Sequence, residues 1–453
     1  MRFQNQLSQS AGEALLTQIN NLDMSKIDLW VHKYIKNEHN EHLPENFQAA
    51  DYYPATPKDD KTAKKFDKAK QLGKKLISTG KVGAFVVAGG QGTRLGYDGP
   101  KGNYAISPIK NKSLFQIFAE MIKEVSKRYS TVCPWYIMTS PLNDAATREI
   151  FEQNNYFGLK KEDVFLFQQG TNPNFDFQGR ILLADKGKIA CSPDGHGGSL
   201  KALYESGAVK DMRNRGIEYV SYWQVDNPLI NIFDPLFIGL HAIDGCQISS
   251  KALIKNNPFE KVGNFCLADG KINIIEYSDL PDKLATQTNP DGSLTFKLGS
   301  IAIHIISTDF IESINCNGFS LPLHKAIKKI PYIDDEGRLV EPDKPNGVKL
   351  ESFIFDAVPM ASKSIILETI REQEFGPVKN ATGVDSAETS RQLQIERAAG
   401  WLESAGVNVP RKDNGQADCV IEIAASFALS AEDLMEKAAN VPNIKRGDKI
   451  YLS

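Results

Sequence analysis

The 453-residue sequence has few of the features that would associate it with a membrane or with nucleic acid. No apolar run approaches the length of a membrane span, and the first residues, MRFQNQLSQSAGEALL, lack the continuous apolar core of a signal peptide. The formal net charge is only −3, which gives no electrostatic reason to expect nucleic acid or an anionic membrane as a partner. We therefore expect a cytoplasmic protein, in which a local cluster of cations could still bind a small anion.

Cysteine is also scarce, and its positions are scattered along the chain. No two of them have the close spacing of a metal site, and there is no dense disulfide framework. We therefore expect buried, unreactive thiols. The cysteines are Cys133, Cys191, Cys246, Cys266, Cys316 and Cys419.

Length and composition are those of an ordinary globular protein of two or three domains. Hydrophobic residues make up 41% of the chain and charged residues 24%, a balance that excludes a disordered or fibrous protein. Residues 1–77 have apolar spacing typical of helices and predict a helical N-terminal segment. Its lysine-rich end interleaves aspartates and lacks stacking aromatics, which favours a solvated helix face over a nucleic-acid surface. Residues 386–453 predict a small C-terminal domain.

Residues 78–385 alternate short β-rich runs with amphipathic helices, the pattern of an α/β domain with a largely parallel sheet. The runs GAFVVA, WYIMTS, VFLFQQ and YVSYWQV predict buried strands, and Ser113 predicts the start of an amphipathic helix. Asp269 and Gly270 predict the turn of an antiparallel hairpin. The sheet is therefore expected to be mixed.

A glycine-rich loop, VVAGGQGTRLGYDGPKGNY, follows the first of these strands. Its glycines allow backbone N–H groups to approach phosphate oxygens, and Arg94 and Lys101 supply positive charge. Open α/β sheets bind ligands at this position, which favours a phosphate site over a flexible surface loop. The loop is not of the Walker A type, because Gly102 and Asn103 follow Lys101, and its glycine spacing does not match a dinucleotide fingerprint.

The motifs AGGQGTRLG and PKG resemble the nucleotide-sugar pyrophosphorylases, in the longer form of the eukaryotic-type UDP-N-acetylglucosamine enzymes and their UDP-glucose relatives. The resemblance continues through most of residues 80–390. It implies a Rossmann-like, GT-A-like nucleotidyltransferase core and an enzyme that uses UTP and a sugar 1-phosphate. Ala88, Gly89 and Gly90 would then contact UTP, and Arg94 and Lys101 would neutralise its phosphates.

Further motifs extend the resemblance to the base, the metal and the phosphates. In VFLFQQ and SPDGHGG it implies that Gln169 and Gly195 contact uracil, although SPDGHGG alone would indicate only the turn that enters a helix. Asp226, just after an apolar strand in YWQVDNPL, matches the family's magnesium ligand, although an Asp at this position could instead cap the following turn. Lys349 and Lys379 match phosphate-binding lysines of the family.

The resemblance also implies a sugar pocket. The motifs VGNFC and IIEYSDL give Gly263 and Glu276 the sugar hydroxyls. NGVKLESFIFD provides the two aromatic residues of the pocket, Phe353 and Phe355. Their i and i+2 spacing does not put both on one helix face, so at least one of them could be ordinary core.

Two departures from the family pattern leave the sugar open. His196 and Ser300 stand where the N-acetylglucosamine enzymes carry asparagine, and the sequence GHG resembles the loop of the UDP-glucose enzymes. The remaining sugar motifs follow the acetylglucosamine pattern more closely. We therefore expect N-acetylglucosamine 1-phosphate as the substrate, with glucose or galactose 1-phosphate as the alternative.

The expected reaction is in-line attack of the sugar 1-phosphate on the α-phosphorus of UTP. A phosphate monoester is already anionic near neutral pH, so positioning and charge neutralisation by Mg²⁺ and the basic residues suffice. His241, His304 and His324 are accordingly expected to be structural. A non-catalytic nucleotide-sugar binding protein and a nucleotidyltransferase for another base remain as alternatives. No nucleic-acid or membrane partner is expected, and the oligomeric state stays open.

Overall fold

The computed structural model describes residues 2–36, 47–316, 318–319 and 321–453. The chain forms two compact units, each built from segments that are far apart in the sequence. The first unit comprises Met1–Glu45, Gln169–Lys201 and Phe319–Ala357. The second unit comprises Asn46–Gln168, Ala202–Gly318 and Val358–Ser453. Both boundaries suggested by the sequence, after residues 77 and 385, fall inside the second unit, and the division into three consecutive segments stays a prediction.

Regular structure covers much of both units. The helices of the described residues are α1 (Gln9–Asn20), α2 (Met24–Trp30), α3 (Asp60–Ser78), α4 (Leu114–Arg128), α5 (Asp144–Gln153), α6 (Gly198–Glu205), α7 (Ala208–Arg215), α8 (Pro235–Ile243), α9 (Asp282–Ala285), α10 (Thr308–Cys316), α11 (Arg371–Glu374), α12 (Ala387–Ser404) and α13 (Ala431–Lys437). The strands of the described residues are β1 (Phe47–Gln48), β2 (Val82–Val87), β3 (Trp135–Thr139), β4 (Val164–Gln168), β5 (Thr171–Pro173), β6 (Phe175–Asp176), β7 (Leu183–Asp185), β8 (Lys188–Ile189), β9 (Cys191–Pro193), β10 (Tyr219–Gln224), β11 (Ile248–Ile254), β12 (Gly263–Ala268), β13 (Lys271–Ile275), β14 (Leu298–Ser307), β15 (His324–Lys328), β16 (Tyr332–Ile333), β17 (Leu339–Val340), β18 (Gly347–Glu351), β19 (Ser364–Glu368), β20 (Val420–Ile423) and β21 (Lys449–Leu452).

A mixed, ten-stranded sheet forms the centre of the second unit. Its main path runs β1-β12-β14-β10-β2-β3-β4, with β11 and β19 attached through β14 and with β13 attached through β12. Strands β10, β2, β3 and β4 are parallel to one another. Every residue of β2 and β3 is buried, as expected for parallel strands covered on both faces. The predicted mixed sheet is confirmed, and all four predicted strands belong to its parallel block.

Strand β14 changes partner partway along its length. His304 pairs with Tyr222 of β10, whereas Ser300 pairs with Gly263 of β12 on the same side. Between these two pairs, residues 301–303 face the single residue Lys251 of β11, and Ala302 has a left-handed φ of 53°. This bulge ends the pairing with β10 and allows β12 to begin beyond the carboxyl end of β10.

Local signals explain the elements that the sequence predicted. Ser113 is the N-cap of helix α4, and its Oγ accepts a hydrogen bond from the N–H of Gln116 at 3.2 Å. The apolar face of α4 lies in the core of the second unit, with Phe118 fully buried. Strands β12 and β13 form the predicted hairpin, and Asp269 and Gly270 have φ angles of 51° and 72°, the left-handed pair that a two-residue turn requires.

The C-terminal residues have a small core of their own within the second unit. Helix α12 packs on β20 of the parallel pair β20–β21 and on α13. Ser386 starts α12 with a capping box in which Thr389 bonds back to the N-cap backbone. The core includes Leu402, Ile421 and Leu434.

The first unit is smaller, and its strands are short. Strands β15, β18 and β6 form an antiparallel sheet. Val348 and Leu350 on one face of β18 pack with Phe175, and with Ile27 and Tyr34 from the N-terminal helical residues. The predicted helical N-terminal segment is therefore shared: α1 and α2 belong to this unit, whereas α3 belongs to the second unit.

Two sequence-level expectations concern the surface. Four of the six cysteines are buried as expected, but the expectation is wrong for Cys191 and Cys316, which lie on a short strand pair and at the end of a helix. Among the residues described, no helix combines the length and the apolar character needed to cross a membrane.

Candidate active site

The predicted metal residue and the predicted phosphate residues other than Lys349 lie at the carboxyl edge of two neighbouring strands. Strands β2 and β10 are parallel, with Val87 opposite Gln224, and the N–H of Val225 donates to the carbonyl of Val87 at 3.1 Å. The glycine-rich loop and Asp226 therefore leave the sheet side by side. This is the edge at which open α/β sheets bind their ligands.

The glycine-rich loop folds back on itself so that its cations lie near its first glycines. The N–H of Gly92 donates to the carbonyl of Gly99 at 2.9 Å, and the N–H of Lys101 donates to the carbonyl of Gly90 at 3.0 Å. Lys101 is half-buried and Arg94 is exposed. Neither side chain forms an ion pair with a carboxylate of the described residues. Their positive charge is thus uncompensated, as an anion site requires.

Two polar residues that follow β3 hold the start of this loop. The buried Asn143 donates through Nδ2 to the carbonyls of Ala88 and Gly90, at 2.8 and 3.2 Å. The hydroxyl of Ser140 lies 2.8 Å from the carbonyl of Gly89. The N–H groups of Gly89 and Gly90 themselves donate to no atom of the described chain. Sequence reasoning did not single out Ser140 or Asn143; their signal is polar character directly after a buried strand.

The segment that carries Lys379 is attached to Asp226 through the backbone. The N–H of Val378 donates to the carbonyl of Asp226 at 2.8 Å. Asn227, which is 3% exposed, accepts a hydrogen bond from the N–H of Gly376 at 3.1 Å. Lys379 is therefore held at the same sheet edge as Asp226. Asn227 is a second asparagine that sequence reasoning missed.

Lys379 has only weak competition for an anionic ligand. Its Nζ lies 3.4 Å from Oδ2 of Asp385 and 5.5 Å from the centre of the Phe375 ring. The side chain of Lys379 is 41% exposed, and an ion pair at such exposure contributes about 0–1 kcal/mol. The ammonium group can therefore turn to a phosphate at small cost.

Asp226 fits a magnesium site of the kind that keeps water and phosphate ligands. Its carboxylate is half-buried and pairs with no Lys or Arg of the described residues. Within those residues, no group of three or more His, Cys, Asp or Glu side chains could hold a metal ion. One carboxylate at a phosphate-binding edge is a typical donor set for Mg²⁺, whose other ligands are phosphate oxygens and water.

Three predicted sugar-binding residues are neighbours across the sheet. Gly263 of β12 pairs with Ser300 of β14. On the other side of β12, Asn264 pairs with Ile275, so Glu276 follows opposite Gly263. Gly263 and Ser300 on adjacent strands, and Glu276 directly after the end of β13, thus form a row across the sheet.

The predicted uracil-binding residues lie together in the first unit. Gln169 is 8% exposed, and its Nε2 donates to Oδ1 of Asp194 at 3.2 Å. The carbonyl of Asp194 accepts a hydrogen bond from the N–H of Ser352 at 2.8 Å. Gly195 has a φ of 87°, and a Cβ there would lie 2.2 Å from the carbonyl oxygen of Ser352. Only glycine fits this loop, and the reason is internal packing.

An aromatic cluster surrounds His196 in the first unit. The rings of His196 and Phe353 stack with centroids 5.1 Å apart, and Phe355 approaches His196 edge-on at 6.0 Å. His324 lies against Phe353 at 4.3 Å, with its Nε2 2.8 Å from Oδ2 of Asp356. Phe355 is buried and Phe353 is half-buried, so both predicted aromatics belong to one cluster. His324, expected to be structural, is part of it as well.

His196 is held as a neutral ring. Burial, and secondarily the nearby charge of His324, lower the pKa of His196 to about 4. Its Nδ1 lies 3.1 Å from the N–H of Ile354 and accepts that hydrogen bond. The ring proton is therefore on Nε2 at neutral pH. This position offers one N–H donor where an asparagine would offer an amide.

Lys349 stands on the face of β18 that is turned away from the core of the first unit. Its neighbours Val348 and Leu350 are buried, whereas Lys349 is half-buried. It forms no ion pair with the described carboxylates. An uncompensated lysine on a strand is compatible with its predicted role toward phosphate, which stays a prediction.

Unpaired N–H groups, uncompensated lysines and a single carboxylate at a parallel sheet edge can bind a nucleoside triphosphate and a metal without a protein nucleophile. This fold and this edge define the class of α/β nucleotidyltransferases. The family is given by comparison: the family model for UTP–glucose-1-phosphate uridylyltransferase matches residues 27–453. The chain belongs to this family.

Individual relatives agree with this membership. A UDP-N-acetylhexosamine pyrophosphorylase-like protein 1 of Xenopus tropicalis is 41% identical over 73% of this chain and 67% of its own length. The UDP-N-acetylglucosamine pyrophosphorylase of Saccharomyces cerevisiae is 39% identical over 83% of this chain and 79% of its own. The crystal structure of the Trypanosoma brucei UDP-N-acetylglucosamine pyrophosphorylase, 27% identical, superposes with a TM-score of 0.83 over 98% of this chain and 94% of its own. The family resemblance inferred from the motifs is confirmed.

Proposed function

We propose that this protein transfers the uridylyl group of UTP to N-acetylglucosamine 1-phosphate and releases pyrophosphate. The supporting observation is the common edge of β2 and β10, where the free N–H groups of Gly89 and Gly90, the cation of Lys101 and the carboxylate of Asp226 emerge together. In the reaction, a bond forms between a phosphate oxygen of the sugar and the α-phosphorus of UTP. The bond from this phosphorus to the oxygen that bridges it to the β-phosphate breaks, and pyrophosphate leaves.

The residues of the chain bind and orient the reactants in this proposal. The N–H groups of Gly89 and Gly90 donate to acceptor oxygens of UTP. Arg94, Lys101 and Lys379 neutralise the charge that grows on the transferring phosphorus and on the leaving pyrophosphate. The attacking phosphate is already anionic, so no general base is needed. Catalysis then rests on positioning and on preorganised charge.

Asp226 is proposed to hold Mg²⁺, which would supply further charge neutralisation at the phosphates when bound. Replacing Asp226 by Asn should lower turnover by about a hundredfold or more, because a neutral amide holds Mg²⁺ poorly, while the near-isosteric change preserves the fold. Turnover and thermal stability measured over a series of Mg²⁺ concentrations check this. Asp67→Asn, an exposed change on α3, is the control. An Asp226→Asn enzyme with wild-type activity at limiting Mg²⁺ would contradict the assignment.

The choice of sugar rests on the names of the relatives and on the row Gly263, Glu276 and Ser300. One yeast relative and one trypanosome relative are named for UDP-N-acetylglucosamine. A second candidate substrate, glucose or galactose 1-phosphate, is favoured by His196, whose neutral ring offers only an Nε2 donor. One missing polar partner can change discrimination between substrates from about tenfold to several thousandfold.

Initial rates of pyrophosphate release test the whole proposal. The panel combines UTP, and ATP, CTP and GTP in its place, with the 1-phosphates of N-acetylglucosamine, N-acetylgalactosamine, glucose and galactose. The pair UTP and N-acetylglucosamine 1-phosphate should be fastest. A preference for glucose or galactose 1-phosphate would overturn the sugar, and a preference for another nucleotide would overturn the base. Binding of UTP without any release would favour a non-catalytic binding protein. The cytoplasmic location stays a prediction.

A further inference from the structure

Asn143 stands at the N-cap position of α5 but does not cap it. The residue is 1% exposed and its side chain makes no hydrogen bond to the first turn of the helix. Instead, Oδ1 accepts a hydrogen bond from the N–H of Ser140 at 2.8 Å, and Nδ2 donates to the carbonyls of Ala88 and Gly90. Because Nδ2 faces two carbonyl acceptors and Oδ1 faces an N–H donor, the side-chain amide can have only this orientation. Asn143 is therefore committed to the glycine-rich loop.

The contacts of Asn143 and Ser140 cover three successive carbonyls of that loop. Asn143 donates to the carbonyls of Ala88 and Gly90, and the hydroxyl of Ser140 donates to the carbonyl of Gly89. In a trans peptide the N–H points opposite to the carbonyl of the same unit, and the structure contains no cis peptide bond among the described residues. Turning the carbonyls of Ala88 and Gly89 toward β3 therefore turns the N–H groups of Gly89 and Gly90 away from it.

Those two N–H groups are the ones that donate to no atom of the described chain. An N–H group with no partner costs about 1–3 kcal/mol if it is also shielded from water, but Gly90 is exposed and Gly89 is half-buried. They are thus oriented donors open to an incoming acceptor. Among the described residues, the carbonyls of Ala88 and Gly89 accept hydrogen bonds from the side chains of Asn143 and Ser140 and from no backbone N–H, so the direction of the two N–H groups depends on these side chains.

We propose that Asn143 is a positioning residue for UTP: it acts through the backbone of Ala88, Gly89 and Gly90 and orients the N–H groups of Gly89 and Gly90 toward the nucleotide. The proposal rests on the proposed function for the identity of the nucleotide. Ser140 supports the same arrangement from the neighbouring carbonyl. In this proposal Asn143 acts only through its contacts with Ser140 and the loop backbone, so it is a positioning residue rather than a catalytic one.

The experiment compares Asn143→Ala with two other variants. Asn143→Ala removes both donors, and Ser140→Ala removes only the hydroxyl and is the milder change if the first variant folds poorly. Asn154→Ala is the matched control, because Asn154 ends the same helix, is exposed, and donates only to the carbonyl of Ile150. For each variant, KM for UTP, KM for the sugar 1-phosphate, kcat and the dissociation constant of UTP alone are measured, together with the urea midpoint.

Asn143→Ala should raise KM and the dissociation constant for UTP by about tenfold to a hundredfold, because the N–H groups of Gly89 and Gly90 lose their orientation and with it their hydrogen bonds to UTP. KM for the sugar 1-phosphate should change less than twofold. Ser140→Ala should shift the UTP values in the same direction by a smaller factor, and Asn154→Ala should shift nothing. A purely structural role would instead lower the urea midpoint and the active fraction with the UTP values unchanged, and this result would overturn the proposal.

The UTP dissociation constant separates this proposal from the proposed function. If the wild type releases no pyrophosphate with any sugar but loses UTP affinity in Asn143→Ala, the proposed function fails and the role of Asn143 stands. If the wild type turns over and Asn143→Ala keeps its UTP affinity, the proposed function stands and the role of Asn143 fails. A wild type that binds no UTP overturns both.

Discussion

At the scale of single residues, Gly90 and Gly102 are glycines for different reasons although they share one loop. A Cβ on Gly102 would lie 2.1 Å from the ring of Phe115, so packing excludes any side chain there. A Cβ on Gly90 would meet only Cε of Lys101 at 4.0 Å, and the backbone of Gly90 is not left-handed. No described residue requires glycine at position 90, and we attribute the glycine to the approach of a ligand.

Gly90→Ala should therefore change ligand binding without changing stability. We expect the unfolding free energy to stay within about 0.5 kcal/mol of wild type and KM for UTP to rise about tenfold or more, because the methyl group occupies space that UTP needs for its close approach to the backbone. Gly102→Ala should instead lose about 1–3 kcal/mol through overpacking. Urea midpoints and UTP kinetics distinguish the two effects, with Gly400→Ala on α12, where the added Cβ meets open space, as the control. Equal stability losses at positions 90 and 102 would contradict this interpretation.

Residue types on a strand end could be predicted from the sequence, but their partners could not. The motif VFLFQQ indicates that one glutamine matters, and the structure separates the two: Gln168 donates to Asp144 in the second unit, and Gln169 donates to Asp194 in the first. The roles of Asn143 and Asn227 could not be predicted, because the sequence around an asparagine beside a strand does not indicate which distant backbone group it will bind. Their roles depend on tertiary contacts with the loops at residues 88–90 and 374–376.

At the scale of elements, the predictions that held are those with local causes. The hairpin β12–β13 follows from Asp269 and Gly270, which adopt the left-handed angles of its turn. The bulge of β14 at Ala302 has no such cause in the sequence, because it arises where β14 changes partner between two strands that are distant in the chain. The row Gly263, Glu276 and Ser300 depends on that change. Family motifs pointed to these three residues, whereas strand patterns alone did not.

A buried lysine joins two elements beneath the loop that carries Lys379. Lys251 on β11 is 2% exposed, and its Nζ lies 2.6 Å from Asp234 and 2.5 Å from Glu374, the last residue of α11. Burial opposes the charge on Lys251, but Asp234 and Glu374 outweigh this effect and raise its pKa. The ammonium group therefore stays charged and compensates the buried carboxylate of Glu374 and the half-buried carboxylate of Asp234.

Lys251→Met should destabilise the second unit by about 3–5 kcal/mol, because it leaves the carboxylates of Asp234 and Glu374 without their partner. Lys70→Met is the matched control: its ion pair with Glu432 is exposed, so its loss should cost about 0–1 kcal/mol. Denaturant titration of both variants measures the difference. Similar losses in the two variants would show that the buried ion pair does not stabilise the fold.

At the scale of the whole molecule, the chain leaves and re-enters each unit. Residues 2–36 and the segments 169–201 and 321–357 are brought together in the first unit, although more than a hundred residues separate them along the chain. Patterns of periodicity and composition act over tens of residues, so they suggested three consecutive segments. They could identify the α/β class and its parallel block, because each strand has its own local signature, but they could not assign separate segments to one unit.

Acid stability connects one buried histidine to the second unit as a whole. His241 on α8 is fully buried, its Nδ1 lies 2.8 Å from Oγ of Ser249, and burial lowers its pKa to about 3. In the unfolded chain a histidine has a pKa of about 6.5. Below that pH His241 is protonated in the unfolded chain but stays neutral in the folded chain. Stability should therefore fall as the pH drops from 6.5 toward 3, and His241 should have no effect on it above pH 6.5.

His241→Phe should remove this part of the pH dependence. The aromatic ring still packs against Tyr219, which His241 meets edge-on at 5.1 Å, and the cost of the larger ring and of the lost Ser249 contact does not vary with pH. At pH 5 the histidine lowers the unfolding free energy by about 2 kcal/mol relative to pH 7. Between pH 7 and pH 5 the unfolding free energy of the variant should therefore fall by about 2 kcal/mol less than that of the wild type. Urea unfolding of the second unit at pH 5, 6 and 7 gives the comparison, followed by tryptophan fluorescence from the buried Trp135 and Trp223. Parallel stability curves for the two proteins would mean that His241 is protonated in the folded state and that its burial does not control its charge.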